Sequence, residues 1–243
     1  MILSEILTKP GKGFSTTDRP TDLGKIYHSK DLNVAGYGYQ TIAYLHKKFP
    51  GKIIRVTKVS GYDDPSYQFI RVAYQHQNNP WFPKIYHVKF YAKGTEPEDY
   101  EGGEITRPNF ANTLIVVMEK LDRVSVGWKH LGDLGITREM YHGVLATQIH
   151  SKVQQHYKDD PMELLYVVVR KMFQTYENRN WMYKNTTNSQ LKQALKLLEP
   201  IFTNYEADVH SSNIRQRAGG QLVFIDPASH TTQQYEKGVG AKV

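Results

Sequence analysis

Asp208-Val209-His210-Ser211-Ser212-Asn213, followed by Gln221-Leu222-Val223-Phe224-Ile225-Asp226, sets a carboxylate, an amide and a second carboxylate at a spacing suited to phosphoryl transfer. Mg2+ takes hard oxygen ligands, so the amide oxygen of Asn213 and the carboxylate of Asp226 could hold it against ATP phosphates. Asp208 could then orient an attacking hydroxyl and accept its proton. The runs Asn213 to Arg217 and Gln221 to Ile225 flank Ala218-Gly219-Gly220, the pattern of a β-hairpin. Such a hairpin places Asn213 and Asp226 at neighbouring strand ends. An ordinary hairpin with a surface Asp and Asn would show part of this pattern. The motif, the hairpin and the second Asp together favour a metal site.

The order Asp…Asn…Asp is that of the catalytic loop and metal-binding Asp of protein kinases. The amino-terminal part should then supply a nucleotide-binding half. Val34-Ala35-Gly36-Tyr37-Gly38-Tyr39 opens a glycine-rich turn whose backbone could approach phosphates, because glycine lacks a Cβ. Gly-x-Gly is common in turns, and Thr41 stands where the kinase pattern has a third glycine. Lys52 to Val59 is a β-branched run bearing Lys58, and a third-strand lysine in kinases meets the α- and β-phosphates. A solvated edge-strand lysine is the plain alternative. The place of Lys58 after Gly-x-Gly and before a helical run favours the phosphate role.

Ser66 to Gln77 reads as that helix, with Phe69, Ile70, Ala73 and Tyr74 on one face. A kinase helix in this position presents a glutamate to the lysine, yet no acidic residue follows Asp64 in this segment. Asp63 or Asp64 could substitute from the helix start, or Lys58 could pair with Asp226 alone. Ile85 to Tyr91 and the continuous apolar run Thr113 to Glu119 give the next two strands. Glu119 to Leu121 then forms a hinge where the backbone of Glu119 and Leu121 meets adenine. Val116, Val117 and Met118 read as core.

The middle of the chain reads as helical scaffold. Ile136, Met140, Val144, Ile149 and Val153 approximate one apolar stripe. Asp160-Pro161-Met162-Glu163 reads as a helix start, with Leu164, Leu165, Val168, Met172 and Phe173 on the buried face. Asn188 or Ser189 should cap a third helix bearing Leu191, Leu195, Leu198 and Phe202, leading towards Asp208. Pro200 should break or kink it. His142, His150 and His156 make no compact metal motif and read as surface residues, and Lys93 to Arg107 reads as an exposed loop.

On these motifs the chain resembles the early serine/threonine protein kinases of podophages, small kinases used in taking over a bacterial host. The resemblance runs through Ala35-Gly36-Tyr37-Gly38 with Ala43-Tyr44 and through Arg55-Val56-Thr57-Lys58-Val59. It is densest at Asp208-Val209-His210-Ser211-Ser212-Asn213-Ile214 and Ile225-Asp226-Pro227-Ala228-Ser229. His210 after the catalytic Asp, and Asp-Pro in place of Asp-Phe-Gly, are shared with that group rather than with eukaryotic kinases. The resemblance implies an ATP- and Mg2+-dependent serine/threonine protein kinase of bacteriophage origin. Asp208 would be the catalytic residue, with His210 contacting the transferred phosphate or supporting the loop. Asn213 and Asp226 would be the metal ligands, Lys58 the phosphate contact, and Gly36 and Gly38 the cover over the phosphates. It does not supply the missing helix glutamate.

The expected fold is α+β: a bilobal protein-kinase-like fold with a sheet-rich N-lobe and a reduced, mostly helical C-lobe. Residues 1–121 would form the nucleotide-binding lobe and 122–243 the catalytic lobe. Expected substrates are host bacterial proteins, and possible targets include the kinase itself. Two other readings stay open: a small-molecule phosphotransferase resembling aminoglycoside and choline kinases, and a non-catalytic kinase-fold protein that binds a host factor. Only 227–243 follow Asp226, which is short for a usual activation segment.

Composition agrees with this reading. The chain has 243 residues, long enough to bury a substantial core, and no cysteine, which excludes disulfides and thiolate metal sites. The start carries no signal-peptide pattern and no run reaches the ~20 apolar residues of a membrane span. The expected location is the cytoplasm of the infected host. The formal charge is +7 and the pI near 9.3. The basic residues are dispersed without a recognised nucleic-acid motif, so a surface attracting ATP and acidic partners is expected rather than dedicated nucleic-acid binding.

Overall fold

β-Branched and aromatic runs in the amino-terminal half pair into one antiparallel sheet. The structure, a computed structural model, describes residues 31–37, 40–91, 112–124, 132, 134, 169–209 and 213–230. The strands are β1 (Leu32–Tyr37), β2 (Thr41–His46), β3 (Lys52–Lys58), β4 (Ile85–Tyr91) and β5 (Thr113–Glu119), in sheet order β1-β2-β3-β5-β4. β5 is buried from Thr113 through Met118 and paired on both edges, as its uninterrupted apolar sequence requires. On β3, Lys58 faces Thr113 across the ladder and Lys52 faces Glu119. Strand alternation puts Ile54 and Val56 into one buried cluster with Tyr44, Ile115 and Val117.

Between β3 and β4 lies α1 (Pro65–Gln75). Asp64 caps it: the carboxylate Oδ1 accepts from Ser66 N–H at 2.9 Å, and the Asp64 carbonyl accepts from Gln68 N–H at 2.9 Å. Pro65 occupies the first helical position, where its missing N–H would have had no intrahelical partner. Phe69, Ile70 and Ala73 are buried as their spacing indicates, while Tyr67 joins them and Tyr74 is only half-buried. Tyr67 meets Phe90 of β4 edge-on, with ring centroids 5.3 Å apart.

Contacts among the described residues divide the chain into two compact units. One holds residues of 31–74 and 84–120 together with His230; the other holds 75–83 and residues of 121–229. In the second unit, β6 (Asp122–Arg123), β8 (Ile214–Gln216) and β9 (Leu222–Phe224) form a small antiparallel sheet, and β7 (Glu206–Ala207) pairs with β10 (Ala228–Ser229). The helices are a helical segment at 169–174, then α2 (Tyr176–Asn185) and α3 (Ser189–Asn204). Asn188 caps α3, its side chain accepting from Gln190 N–H and Leu191 N–H at 3.1 and 3.0 Å. Leu191, Leu195, Leu198 and Phe202 are buried. Of the break or kink expected at Pro200, the break does not occur: α3 continues through Pro200 to Asn204. The apolar face on both sides of the proline holds the helix together despite one missing backbone bond.

No apolar stripe marks α2. Thr175 caps it, and its buried residues are Met182 and a charged one, Arg179. That guanidinium makes a two-pronged contact with Glu199 at 3.0 and 2.9 Å, donates to the Phe173 carbonyl at 2.7 Å and lies over the Phe202 ring. The stripe at 136–153, the helix start at 160–163, the loop 93–107 and His142, His150 and His156 fall outside the described residues.

Two histidines of the sheet unit make its stability pH-dependent. Burial lowers the pKa of His46, opposed by Asp31 and reinforced by Lys48. The ring Nδ1 of His46 accepts from Lys48 N–H at 3.2 Å, a bond that a protonated ring cannot take. Burial, with Lys89 adding to it, likewise lowers His87. Its Nε2 is buried without a partner among the described residues. Below the usual value of 6.5 the unfolded chain binds protons that the folded chain resists, so stability is full above that value and declines as pH falls through it. The denaturation midpoint should drop between about pH 7.5 and about pH 5.5. Urea titrations of His87→Leu should show a shallower drop, and an unchanged slope would contradict this assignment.

Candidate functional site

α3 delivers the chain to β7, and Asp208 follows directly. β10 pairs with β7 so that Ala228 faces Ala207 and Ser229 faces Glu206. This brings the segment after Asp226 beside the segment before Asp208. Asp208 N–H donates to the Pro227 carbonyl at 2.7 Å, and Ile225 N–H donates to the Asn213 carbonyl at 3.0 Å. Between Asn213 and Ile225 runs the expected hairpin, with Ile214 opposite Phe224 and Gln216 opposite Leu222. Its turn needs left-handed backbone at Gly219 and Gly220, whose φ values are +96° and +90°. The residues flanking the site are its anchors: Val209, Ile214 and Phe224 are buried, while Asp208, Asn213 and Asp226 stay half-buried.

The side chains of two expected site residues meet. Asn213 Nδ2 donates to the Asp208 carbonyl at 2.7 Å and to Asp208 Oδ2 at 3.2 Å. The donor end of the amide is thereby fixed on Asp208, which turns its oxygen end away as the acceptor. Asp226 sits between Ile225 and Pro227, both of which bond to the chain segments bearing the other two residues. Among the described residues no three His, Asp or Glu side chains gather as a metal cage. One amide oxygen and one carboxylate fit Mg2+, which keeps water and phosphate oxygens as most of its ligands. His210 lies outside the described residues.

The expected nucleotide residues of the sheet unit are placed as follows. Gly36 lies within β1 rather than in a turn, opposite Ala43 and beside a bulge between Val34 and Gly36. A Cβ at Gly36 would meet no described residue within 4 Å. Gly38 is outside the described residues. Lys58 ends β3 and is half-buried, on the strand face that carries Ile54 and Val56. Its N–H donates to the Gln40 carbonyl at 2.8 Å, which ties the lysine to the chain leaving the glycine-rich segment. Glu119 N–H donates to the Lys84 carbonyl at 2.9 Å, and its Oε1 accepts Lys84 N–H at 2.8 Å. Leu121 is half-buried.

Asp64 does not take the role of the missing helix glutamate. Besides capping α1, its Oδ2 accepts from Ser60 N–H at 2.9 Å and Ser60 Oγ at 3.2 Å, and lies 3.1 Å from His230 Nε2. Ser60 Oγ and Asp64 face the same ring nitrogen of His230. A nucleophilic Ser-His-Asp relay needs opposite nitrogens, so this cluster is structural. Sequence reasoning missed His230; a buried histidine at the end of Asp-Pro-Ala-Ser-His has no local signature.

No protein-family model and no curated protein matches the chain. Among solved structures it is similar to an aminoglycoside phosphotransferase from Alicyclobacillus acidocaldarius, at 14% identity and a TM-score of 0.30 over 82% of this chain. The chain covers 64% of the length of that protein. A likeness at that score defines neither a common fold nor a common activity.

The Asn213 contacts make a direct test. Asn213→Asp would replace the amide donor by an oxygen facing the Asp208 carbonyl and carboxylate. Without added metal it should lose about 1–3 kcal/mol of stability in urea titrations. A midpoint equal to that of the natural chain would contradict the contact.

Proposed function

We propose that this chain is an ATP-dependent phosphotransferase of kinase type, acting on serine or threonine hydroxyls of proteins. The observation that carries the reading is the contact of the Asn213 amide with Asp208, on a backbone that also ties down both neighbours of Asp226. On this reading Asp208 would serve the acceptor hydroxyl, and the Asn213 amide oxygen and Asp226 carboxylate would serve a cation.

Asp208 would accept a hydrogen bond from the acceptor hydroxyl and aim its oxygen at the γ-phosphorus. The new bond joins that oxygen to phosphorus; the bond to the β–γ bridging oxygen breaks, ADP leaves, and the hydroxyl proton passes to Asp208. Asn213 and Asp226 would hold Mg2+, which when bound offsets the charge on the phosphate oxygens. Lys58 would meet the α- and β-phosphates, the backbone at Gly36 and Gly38 would cover the phosphates, and the backbone at Glu119 and Leu121 would face adenine. His210 would contact the transferred group or support the loop. Positioning and charge placement supply most of the rate in such transfers. On this reading residues 1–121 serve the nucleotide and 122–243 the catalysis. The motif resemblance further makes host bacterial proteins the targets and the host cytoplasm the place of action.

The test is transfer from γ-labelled ATP with Mg2+, with and without bacterial lysate, beside Asp208→Ala and Asp226→Ala. Label on the chain or on lysate proteins is expected, with a loss of about 10³-fold or more in both variants. Undiminished transfer by folded Asp208→Ala would overturn the catalytic assignment. ATP consumption that labels aminoglycosides or choline but no protein would move the acceptor to small molecules. Nucleotide binding without transfer to any acceptor would make the chain a binding protein.

A further inference from the structure

The segment Asn79-Pro80-Trp81-Phe82 lies in the same unit as Asp208, Asn213 and Asp226, far from them in sequence. The carbonyls of Pro80, Trp81 and Phe82 are all taken by the β8–β9 hairpin and its turn. Arg217 Nη1 donates to the Pro80 carbonyl at 2.5 Å, Phe224 N–H to the Trp81 carbonyl at 2.9 Å, and Arg217 Nη2 to the Phe82 carbonyl at 2.9 Å. One guanidinium thus grips two carbonyls, and the strand residue two places before Asp226 grips the one between them. The Trp81 and Phe224 rings lie 5.5 Å apart, and Phe173 packs on Phe224 at the same separation.

Asn79 fastens the other end of the segment. Its Nδ2 donates to the Gln190 carbonyl at 2.9 Å and to Gln193 Oε1 at 3.2 Å, both on α3. Its Oδ1 accepts Trp81 N–H at 3.0 Å, and its carbonyl accepts Phe82 N–H at 3.1 Å. Asn79 is buried, and Pro80 and Pro83 restrict the backbone around the aromatic pair. The segment is therefore a stiff bridge from α3, which leads to Asp208, to the hairpin, which carries Asn213 and Asp226 at its ends. The hairpin strands β8 and β9 are only 3 residues each and their sheet neighbour β6 only 2, so this small sheet depends on packing against other elements.

We infer that Asn79 and Arg217 are positioning residues that set the hairpin, and with it Asn213 and Asp226, against Asp208. This rests on the phosphotransferase reading of those three residues. Neither positioning residue touches the substrate; each acts through the 79–82 bridge on the ligand pair. Outer-shell partners of this kind govern metal affinity because they orient the ligands.

The measurement is Mn2+ affinity in the presence of the unreactive ATP analogue AMP-PNP, followed by the electron-paramagnetic signal of unbound Mn2+. It is made on the full chain, well below the melting temperature of each variant. Arg217→Ala and Asn79→Ala should each weaken Mn2+ binding by about 10-fold. The double variant should fall short of the product of the two losses, because both release the same bridge. Arg217→Lys should lie between, since a point ammonium cannot span two carbonyls as the guanidinium fork does. It also carries the test should Arg217→Ala not fold. A lowered melting temperature with unchanged Mn2+ affinity would mean a merely structural role and overturn the inference. Absence of Mn2+·AMP-PNP binding in the natural chain would instead overturn the phosphotransferase reading, and this inference with it.

Discussion

Two backbone hydrogen bonds decide where the acidic groups of this chain stand: Asp208 N–H to the Pro227 carbonyl, and Ile225 N–H to the Asn213 carbonyl. They lash the exit of α3 and β7 to both sides of Asp226, and the Asn213 amide then bonds to Asp208 itself. The consequence is chemical. Unconnected carboxylates on a surface would spread apart in solvent, whereas these are held on backbone tied by hydrogen bonds at Asp208, Asn213, Ile225 and Pro227. Pairing each carbonyl with a neighbouring segment also avoids leaving buried polar groups unmatched beside Val209, Ile214 and Phe224.

The sheet unit shows the same economy of means at other positions. Lys58 is set by its place at the end of β3 and by the bond of its N–H to Gln40. Two residues on, Ser60 is fixed by Asp64, which also caps α1 and meets His230. A kinase helix glutamate would add a side-chain tie to the lysine. Here Asp64 is committed to capping and to a buried imidazole, while the lysine end of the strand is held by its backbone bond to Gln40 and its pairing with Thr113.

How much of this was readable from sequence depended on whether the signal was local. The strands Ile85–Tyr91 and Thr113–Glu119 follow from apolar, β-branched runs, the hairpin from Gly219-Gly220, and the start of α3 from Asn188. These are patterns within a few residues. Gly36 was read as part of a turn and lies in a strand with a bulge, because cross-strand pairing with Ala43 overrides the local glycine signal. Pro200 reads as a break or a kink; the helix is not broken there, because the buried face of α3 spans it. α2 escaped because its anchor is Arg179, a residue type that reads as surface until Glu199 and Phe202 come to meet it. The acidic candidates Asp208 and Asp226 were legible as a motif; the bridge at 79–82 and the Asp64–His230 contact were not, because they join residues with no periodic relation in sequence.

The proposed chemistry requires Asn213 and Asp226 to hold a cation beside Asp208. Crystals grown with Mn2+ and AMP-PNP, examined by anomalous scattering, test this most directly. The expected result is a manganese peak bonded to the Asn213 amide oxygen and an Asp226 carboxylate oxygen, with analogue phosphate oxygens completing its shell and the γ-phosphate facing Asp208. A nucleotide bound with its manganese elsewhere, or an Asn213 amide oxygen turned away from the metal, would contradict it.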